Sequence, residues 1–204
     1  SGIGSSGANI LTTAGTITAA SGTGGIFITE SDGANFTANV SGATGNMALA
    51  SSTGTLNIAG ASATGGGTIT LSSADAITLG AALGSGSTGD IAINANTTAA
   101  GNESFTQNAT GTITTGSTGA NAVKILVNTA SAGTGGAALR DITTGSGGTI
   151  TVNTAQGNAT GGSITQTAAT LLNAGTGTVA LTTGGAASGI GSSGANILTT
   201  AGTI

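Results

Sequence analysis

The sequence predicts an all-β fold, a parallel β-helix or β-solenoid in which short strands from successive coils stack into long sheets. Apolar residues recur two apart in many short segments, which is the spacing of a strand with one buried face. Turns rich in Gly, Ser and Asn separate these segments too closely for large antiparallel sheets. In addition, the segment at positions 1–17 recurs unchanged at positions 188–204, and self-similarity at a fixed period is typical of repeat architectures.

The repeated segment also predicts the domain organisation. Its two copies begin at positions 1 and 188, which defines a 187-residue period. Residues 1–187 are therefore interpreted as one full tandem repeat of a continuous solenoid, and residues 188–204 as the start of the next repeat. We expect the chain to be a window of a longer array that contains further copies of the same repeat.

Composition separates the chain from disordered, collagen-like and membrane-spanning sequences. Gly supplies 40 of 204 residues and Pro is absent, but charged residues are only 4% and mean hydropathy is +0.35. Disordered chains combine high charge with low hydropathy, and collagen needs a Gly-X-Y period with Pro. The longest apolar runs fall far short of the roughly 18–20 residues that span a bilayer, so no membrane insertion of this segment is expected.

The charge balance excludes several kinds of partner. Only two residues are cationic and the net charge is −4, whereas nucleic-acid binding depends on Lys and Arg that neutralise phosphates. Electrostatic attachment to anionic lipid needs the same cations. The absence of Cys removes disulfides and thiolate metal sites. A nearly uncharged surface of Thr, Ser, Asn and Gly suits an extracellular or cell-surface material.

The phrase Gly-Thr-Ile-Thr suggests how each strand is built. It begins at Gly15, Gly67, Gly111 and Gly148. Gly permits the corner, Ile points inward, and the β-branched Thr residues stiffen the strand on its outer side. The same alternation turns Phe27 outward, where it is a candidate for lateral contact between shafts. The predicted inward residues are Ile17, Ile28, Phe36, Leu49, Ile58, Ile69, Ile91, Phe105, Ile113, Ile125, Ile150, Ile164 and Val179.

Apolar spacings predict the coil length. Met47, Ile69, Ile91 and Ile113 follow one another at 22-residue intervals, and longer corner loops elsewhere bring a 187-residue period to about eight coils. If that number is whole, residues 188–204 should superpose on residues 1–17 with little rotation. Strands of adjacent coils lie about 4.8 Å apart, so the translation along the axis should be roughly 35–45 Å.

A second recurring phrase places an Asn at the end of three strands. It reads Ile91-Ala-Ile-Asn94, Ile125-Leu-Val-Asn128 and Ile150-Thr-Val-Asn153. We predict that Asn94, Asn128 and Asn153 stack into a side-chain amide ladder. The alternative is that each Asn caps its own turn locally.

No catalytic or cofactor-binding residue is predicted. His, Cys and Tyr are absent, and the few charged residues are spread along the chain, whereas carbohydrate-active β-helices need clustered carboxylates. Arg140 and Asp141 are adjacent, so on a strand they would point to opposite faces. Glu30 and Asp32 lie in a turn, which they are expected to cap. The charged residues considered are Glu30, Asp32, Asp75, Asp90, Glu103, Lys124, Arg140 and Asp141.

Calcium and ice binding are disfavoured by spacing. The four Asp residues stand outside the Gly-Gly-x-Gly-x-Asp phrases of calcium-binding β-rolls, which leaves only an ion held by Glu30 and Asp32 as an alternative. Thr-x-Thr pairs begin at Thr16, Thr68, Thr112 and Thr149. Their unequal separations do not fit one coil length, so a continuous Thr row that matches ice is not expected.

Several phrases resemble repeats of filamentous-haemagglutinin-like exoproteins and autotransporter passenger domains. They are the segments that begin at Gly25 (GIFITE), Ser163 (SITQTA), Gly177 (GTVALTT) and Gly189 (GIGSS). The resemblance covers most of the chain in style and implies a right-handed parallel β-helix that is exported from bacteria to the cell surface.

Three functional hypotheses follow from the sequence. The first is a non-catalytic structural shaft or filament-forming segment of a secreted or cell-surface protein, with lateral self-association into bundles. The second is an adhesin shaft that binds a surface glycan or protein directly, with a role in adhesion or biofilm. A carbohydrate-active β-helix enzyme is the remote third.

Overall fold

The computed structural model describes residues 1–98, 101–129, 133–156, 160–193 and 195–204. Within these ranges there is no helix, and hence none that could cross a membrane. The strands are β1 (Ile10–Thr12), β2 (Thr16–Ser21), β3 (Ile26–Glu30), β4 (Ala34–Val40), β5 (Met47–Ser51), β6 (Leu56–Ile58), β7 (Ser62–Thr64), β8 (Ile69–Ser73), β9 (Ile77–Leu79), β10 (Leu83–Gly84), β11 (Ile91–Ala95), β12 (Phe105–Gln107), β13 (Ile113–Thr114), β14 (Val123–Val127), β15 (Ala137–Leu139), β16 (Ile142–Thr143), β17 (Ile150–Asn153), β18 (Ile164–Gln166), β19 (Leu172–Asn173), β20 (Val179–Thr182) and β21 (Thr199–Thr200).

The strands form two sheets, and the paired strands run parallel in both. The first sheet has eight strands in the order β1-β3-β5-β8-β11-β14-β17-β20. The second has thirteen strands, and the long strand β4 joins its two halves by pairing with both β6 and β7. Each coil therefore crosses the first sheet, turns a corner, crosses the second sheet and returns. The predicted parallel β-solenoid is confirmed.

The core consists of apolar rows that run along the stack between the sheets. On the first sheet, Ile26 lies in register with Met47, which is followed by Ile69 and Ile91. On the second sheet, Leu56, Ile77 and Phe105 form a corresponding row. Each buried aliphatic side chain contributes roughly 1.5–3 kcal/mol. No single coil encloses these rows, so neighbouring coils must supply the remaining contacts.

The predicted core is confirmed with one difference. Twelve of the thirteen predicted inward residues are buried, with at most 4% of their surface exposed. Ile17 is only half-buried, although it packs against the core. It lies on β2, whose strand partner is β4. Ile17 thus faces inward as predicted. It stays half-buried because β2 is paired with a strand on one side only.

The coil length is less regular than predicted. Met47, Ile69 and Ile91 do stack at 22-residue intervals. Ile113 does not continue this row: it lies on the second sheet beside Leu83, and the partner of Ile91 is Val123. This coil is longer than its predecessors chiefly because the connection between β11 and β12 is longer, so the chain reaches the second sheet later.

The two identical segments lie on different sheets. Ile3 and Ile10 pair with Ile26 and Ile28 on the first sheet. In the second copy, Ile190 pairs with Ile164 and Thr199 pairs with Leu172, and both partners lie on the second sheet. The sequence period therefore spans about seven and a half coils, so the expected superposition with little rotation is wrong.

Both sheets accept the same sequence pattern, which explains how one segment fits either. In the four Gly-Thr-Ile-Thr phrases, Ile69 and Ile150 point inward from the first sheet, whereas Ile17 and Ile113 point inward from the second. A Gly corner followed by an inward Ile satisfies either face. The pattern therefore specifies a strand but not the sheet to which the strand belongs.

Glycines line the corner at which the chain returns from the second sheet to the first. A Cβ atom on Gly86 would overlap the carbonyl oxygen of Gly65, and one on Gly145 would overlap that of Gly116. A Cβ atom on Gly65 would lie 2.9 Å from the carbonyl oxygen of Gly42. Stacked coils bring these backbones too close for a side chain, which accounts for part of the high Gly content.

Candidate functional site

The Asn residues that were predicted to form a ladder are not brought together. Asn94 lies in register with Leu126, and Leu126 with Asn153, so Asn94 and Asn153 occupy the outer row of the first sheet. Asn128 instead faces the buried corner. The predicted alignment was two residues out of register at β11 and β14. A slip of two residues keeps the same alternation, so the sequence pattern alone could not detect it.

A shorter amide ladder forms one corner of the solenoid. The Nδ2 atom of Asn96 donates a hydrogen bond of 2.8 Å to Oδ1 of Asn128 on the next coil. The Asn128 amide then donates to the carbonyl oxygens of Gly135, at 2.9 Å, and Thr154, at 2.6 Å. Both Asn residues have positive φ, 52° and 62°, which Asn tolerates better than most residues. The ladder joins three successive coils through one buried corner.

Asn153 follows the alternative interpretation and caps its own turn. Its Oδ1 atom accepts a hydrogen bond of 2.8 Å from the backbone amide of Ala155, and its Nδ2 atom donates to Gln156. This is the local side-chain-to-backbone bonding that makes Asn common in turns. Asn153 therefore stabilises the corner after β17 without an amide stack.

Two glutamines, not identified from the sequence, act as clamps between coils. Gln107 accepts a hydrogen bond from the backbone amide of Arg140 and donates to the carbonyl oxygen of Asp141. Gln166 makes the equivalent pair with the backbone of Leu198. Both side chains are buried. The signal was available, because Phe-Thr-Gln and Ile-Thr-Gln are similar strands, but a polar residue at an inward position was not expected.

Three of the aspartates accept hydrogen bonds from other coils. Asp75 accepts a hydrogen bond of 2.8 Å from the backbone amide of Gly54, and Asp141 one of 2.9 Å from that of Leu171. Asp90 accepts a hydrogen bond from the Ser117 hydroxyl. Each partner lies on a neighbouring coil. Across the described ranges, no three acidic residues come together in a way that could hold a metal ion.

Glu30 and Asp32 form an interacting carboxylate pair at the turn that follows β3. Glu30 is buried and accepts hydrogen bonds from the backbone amides of Asp32 and Gly33. Burial opposes its ionisation, but hydrogen bonds from the Asp32 side chain and from these amides outweigh burial, so the pKa of Glu30 is lowered. The hydrogen bond with Glu30 and the repulsion of its charge raise the pKa of Asp32. The pair therefore caps the turn, as expected from the sequence.

Phe27 occupies the outer row of the first sheet, beside Ala48 in register. Its side chain is half-buried rather than fully exposed. A Cβ atom on Gly25 would lie 2.9 Å from its Cε2 atom, so the ring lies over the backbone of Gly25. Phe27 thus places an aromatic ring in an outer row that continues with Ala48 and Thr70.

The outer side of the second sheet carries short rows of hydroxyl and amide groups. One row consists of Thr114, Thr143, Asn173 and Thr200 in consecutive register. The Thr-x-Thr pairs considered above do not form one such row. Thr70 and Thr151 lie on the first sheet, whereas Thr16 and Thr114 lie on the second. The rows that do form offer hydrogen-bonding groups at the spacing of the strands, about 4.8 Å.

Residues 188–204 are seated on a surface that we call the terminal edge, residues 163–179. Three backbone amides of the terminal edge donate hydrogen bonds to carbonyl oxygens of residues 188–204, with N–O distances of 2.9–3.0 Å. The donor and acceptor residues are Ile164 and Gly189, Leu172 and Leu198, and Val179 and Thr203. Clamp residue Gln166 adds its two bonds to Leu198. The terminal edge therefore continues the stack directly into the second copy of the repeated segment.

Comparisons with known proteins return no relative: no protein-family model, curated protein or solved structure matches the chain. The resemblance to filamentous-haemagglutinin-like and autotransporter repeats stays a prediction.

Proposed function

We propose that the chain is a structural shaft segment of a tandem-repeat protein, with no catalytic role. The observation that carries this proposal is the terminal edge. The second copy of the repeated segment stacks on it through backbone hydrogen bonds, as one coil stacks on another. A stack that accepts the start of its own repeat can be extended without a change of architecture.

The side chains support the same proposal. The buried apolar residues form the core rows that run from coil to coil. Asn, Gln and Asp side chains form hydrogen bonds with the backbone of the adjacent coil. Hydrolysis of a glycosidic bond needs two carboxylates that flank one substrate site. Glu30 and Asp32 are an interacting pair, and both belong to the hydrogen bonds of their turn.

We propose further that the shaft is displayed at the cell surface or secreted. The surface of Thr, Ser, Asn and Gly is hydrated and has few charges, and Lys124 and Arg140 are the only side chains in the chain that trypsin-like proteases recognise. Export from a bacterium, as implied by the resemblance to surface exoproteins, belongs to this proposal. Lateral contact between shafts through Phe27 is part of it too.

A second candidate function rests on the polar rows of the second sheet. Thr114, Thr143, Asn173 and Thr200 present regularly spaced hydrogen-bonding groups, which suit the hydroxyl groups of a surface glycan. An adhesin shaft would use this face. A glycan array tests it: binding that is lost in Thr143→Val but kept in Thr151→Val, on the other sheet, would favour adhesion by the shaft.

The structural proposal is tested with a chain that carries four consecutive copies of the repeat defined by positions 1–187. Negative-stain electron microscopy should show an unbranched rod with the same width as the single chain. A string of separate globular particles would contradict the proposal. Lyase and hydrolase assays on bacterial and plant polysaccharides should give no turnover, and turnover abolished by Asp75→Asn or Asp141→Asn would contradict it as well.

A further inference from the structure

The second copy of the repeated segment crosses both sheets. Ile190 pairs with Ile164 of the second sheet, and Thr203 then pairs with Thr178, which directly precedes β20 of the first sheet. The first copy crosses the sheets in the opposite order, because β1 belongs to the first sheet and β2 pairs with β4 of the second. The two copies therefore exchange both sheets.

The exchange keeps inward positions inward. In both copies, equivalent positions pair with buried residues of the neighbouring strand. These pairs are Ile3 with Ile26, Thr12 with Glu30, Ile190 with Ile164, and Thr199 with Leu172. Because side chains alternate along a strand, the outward positions also correspond in the two copies. An exchange of sheets that keeps the same face outward is a rotation about the shaft axis.

This rotation is about half a turn. The sheets lie on opposite sides of the apolar core rows, so a segment that exchanges both sheets has turned halfway round the axis. Eight strands, from β1 to β20, follow one another along the first sheet, and the second copy starts on the other sheet after the last of them. With strands about 4.8 Å apart, the rotation is accompanied by an advance of about 36 Å.

The half turn matters for side chains on the outer surface, and Phe27 is the aromatic one among them. The chain has three aromatic residues, of which Phe36 and Phe105 are fully buried. Strands β1 and β5 cover the coil of Phe27 on both sides. The exposure of Phe27 is therefore that of an interior coil of the shaft.

The outer row that contains Phe27 suits contact with an identical row on a second shaft. From Phe27 the row continues through Ala48, Thr70 and Ala92 before it reaches the charged Lys124. Two shafts should repel each other only weakly, because the net charge is −4 over 204 residues. Aromatic rings also pack favourably against one another. A second copy of the same row is thus a partner of matching chemistry.

We propose that consecutive repeats are related by a half turn, so that Phe27 faces a neighbouring shaft on one side in one repeat and on the opposite side in the next. Phe27 rings of adjacent shafts pack against each other. Each shaft then has two neighbours, and shafts assemble into flat layers instead of pairs. Contacts that are weak singly become strong when several repeats engage together. This inference rests on the proposed shaft function and specifies the arrangement of its lateral contacts.

Gold labelling tests the half turn without any need for bundling. The label is attached at Thr165→Cys in each copy of the four-copy array, because Thr165 is exposed on the outer side of β18 and the chain has no Cys. Electron microscopy of single rods should show labels that alternate between the two sides. Successive labels should lie about 36 Å apart along the rod, and labels on one side about 72 Å apart. Labels along one side only would overturn the half turn.

Two matched variants of the array test the layers. Each removes two of the four rings by Phe27→Ser, one in the first and third copies and the other in the first and second copies. The first variant keeps rings on one side of the shaft, so the number of neighbours per shaft should fall from two to one. The second keeps one ring on each side and should still form layers, although at a higher protein concentration.

The array with Phe27→Ser in all four copies is the control and should give single rods. Layers in the first-and-third variant, or pairs in the first-and-second variant, would overturn the proposal. A parent array that stays as single rods would overturn the lateral contact. These failures are distinguishable from failure of the proposed shaft, because the unbranched rod of the four-copy chain is observed whether or not rods associate.

Discussion

The side-chain amide of Asn96 donates a hydrogen bond to Oδ1 of Asn128, which lies one coil further along the stack. Asn128 passes the contact on to the backbone of the third coil at Thr154. Both Asn residues are buried, with at most 1% of their surface exposed. A buried, hydrogen-bonded amide fixes register as well as stability, because a shifted coil would leave its donors unpaired.

Removal of the Asn128 amide should destabilise the solenoid. We predict that Asn128→Gly, which tolerates the positive φ, costs about 1–3 kcal/mol because Asn96 and two carbonyl groups lose their partner. Asn128→Ala should cost more, since Ala is strained at φ of 62°. Chemical denaturation followed by circular dichroism measures both. Asn94→Ala, on the outer row, is the control and should stay within about 0.5 kcal/mol; equal losses at Asn94 and Asn128 would contradict the assigned register.

The Gly corner should be intolerant of side chains at positions of close coil contact. We predict that Gly86→Ala lowers stability by about 1–3 kcal/mol, because its Cβ atom would overlap the Gly65 carbonyl and force the coils apart. Gly22→Ala is the control, since a Cβ atom there has no neighbour within 4 Å. Thermal unfolding of the two variants should separate them clearly. A Gly86→Ala chain as stable as Gly22→Ala would show that the corner is not closely stacked.

The Glu30–Asp32 pair should make stability depend on pH. Because the pKa of Asp32 is raised, its contribution is favourable when Asp32 is protonated and is lost as pH rises through its folded-state pKa. Because the pKa of Glu30 is lowered, its contribution to stability is favourable when Glu30 is ionised and is lost as pH falls through its folded-state pKa. We predict that Asp32→Asn raises the melting temperature at neutral pH, since it removes the repulsion and keeps a donor for Glu30.

The increase in melting temperature should become smaller as pH falls through the raised pKa of Asp32, because the Asp32 carboxyl of the parent chain is then protonated and uncharged. Melting curves of the parent and Asp32→Asn across acidic to neutral pH measure the difference. A gain of equal size at every pH would mean that the two carboxylates do not interact.

Phe27 should matter more for association than for folding. We predict that Phe27→Ser reduces lateral bundling, because it removes the aromatic ring from the outer row. Electron microscopy and light scattering over a range of protein concentrations measure the bundling. Its melting temperature should change far less than that of Phe105→Ala, which empties a fully buried site at a cost of roughly 3–5 kcal/mol. Ala48→Ser, in the same row, should leave bundling unchanged. If Phe27→Ser bundles as the parent chain does, the Phe27 ring does not take part in the lateral contact.

The strands and the core could be predicted well from the sequence because both depend on local alternation. Residues such as Leu49, Ile69 and Phe105 need only an inward position to be buried. Pairing between coils depends on the loops instead. Ile113 was placed one coil after Ile91, but the long connection after β11 moves it to the other sheet.

The predictions of the amide ladder and of the repeat's orientation failed for a related reason. Alternation has a period of two, so a slip of two residues at β14 satisfied the pattern and misassigned Asn94 as the partner of Asn128. Ile3 and Ile190 have identical surroundings in sequence, and both sheets accept them. Only the summed length of all the corners decides which sheet a segment reaches, and no local pattern contains that sum.

The central claim is that identical segments recur along one continuous stack, about seven and a half coils apart and on opposite sheets. The chain has no Cys, so nitroxide labels can be attached specifically at Ser6→Cys and Ser193→Cys, which are equivalent exposed positions of the two copies. With strands about 4.8 Å and sheets about 10 Å apart, the pulsed electron-electron double resonance distance should centre at roughly 35–45 Å. A distance below about 20 Å would place the segments side by side and contradict the solenoid.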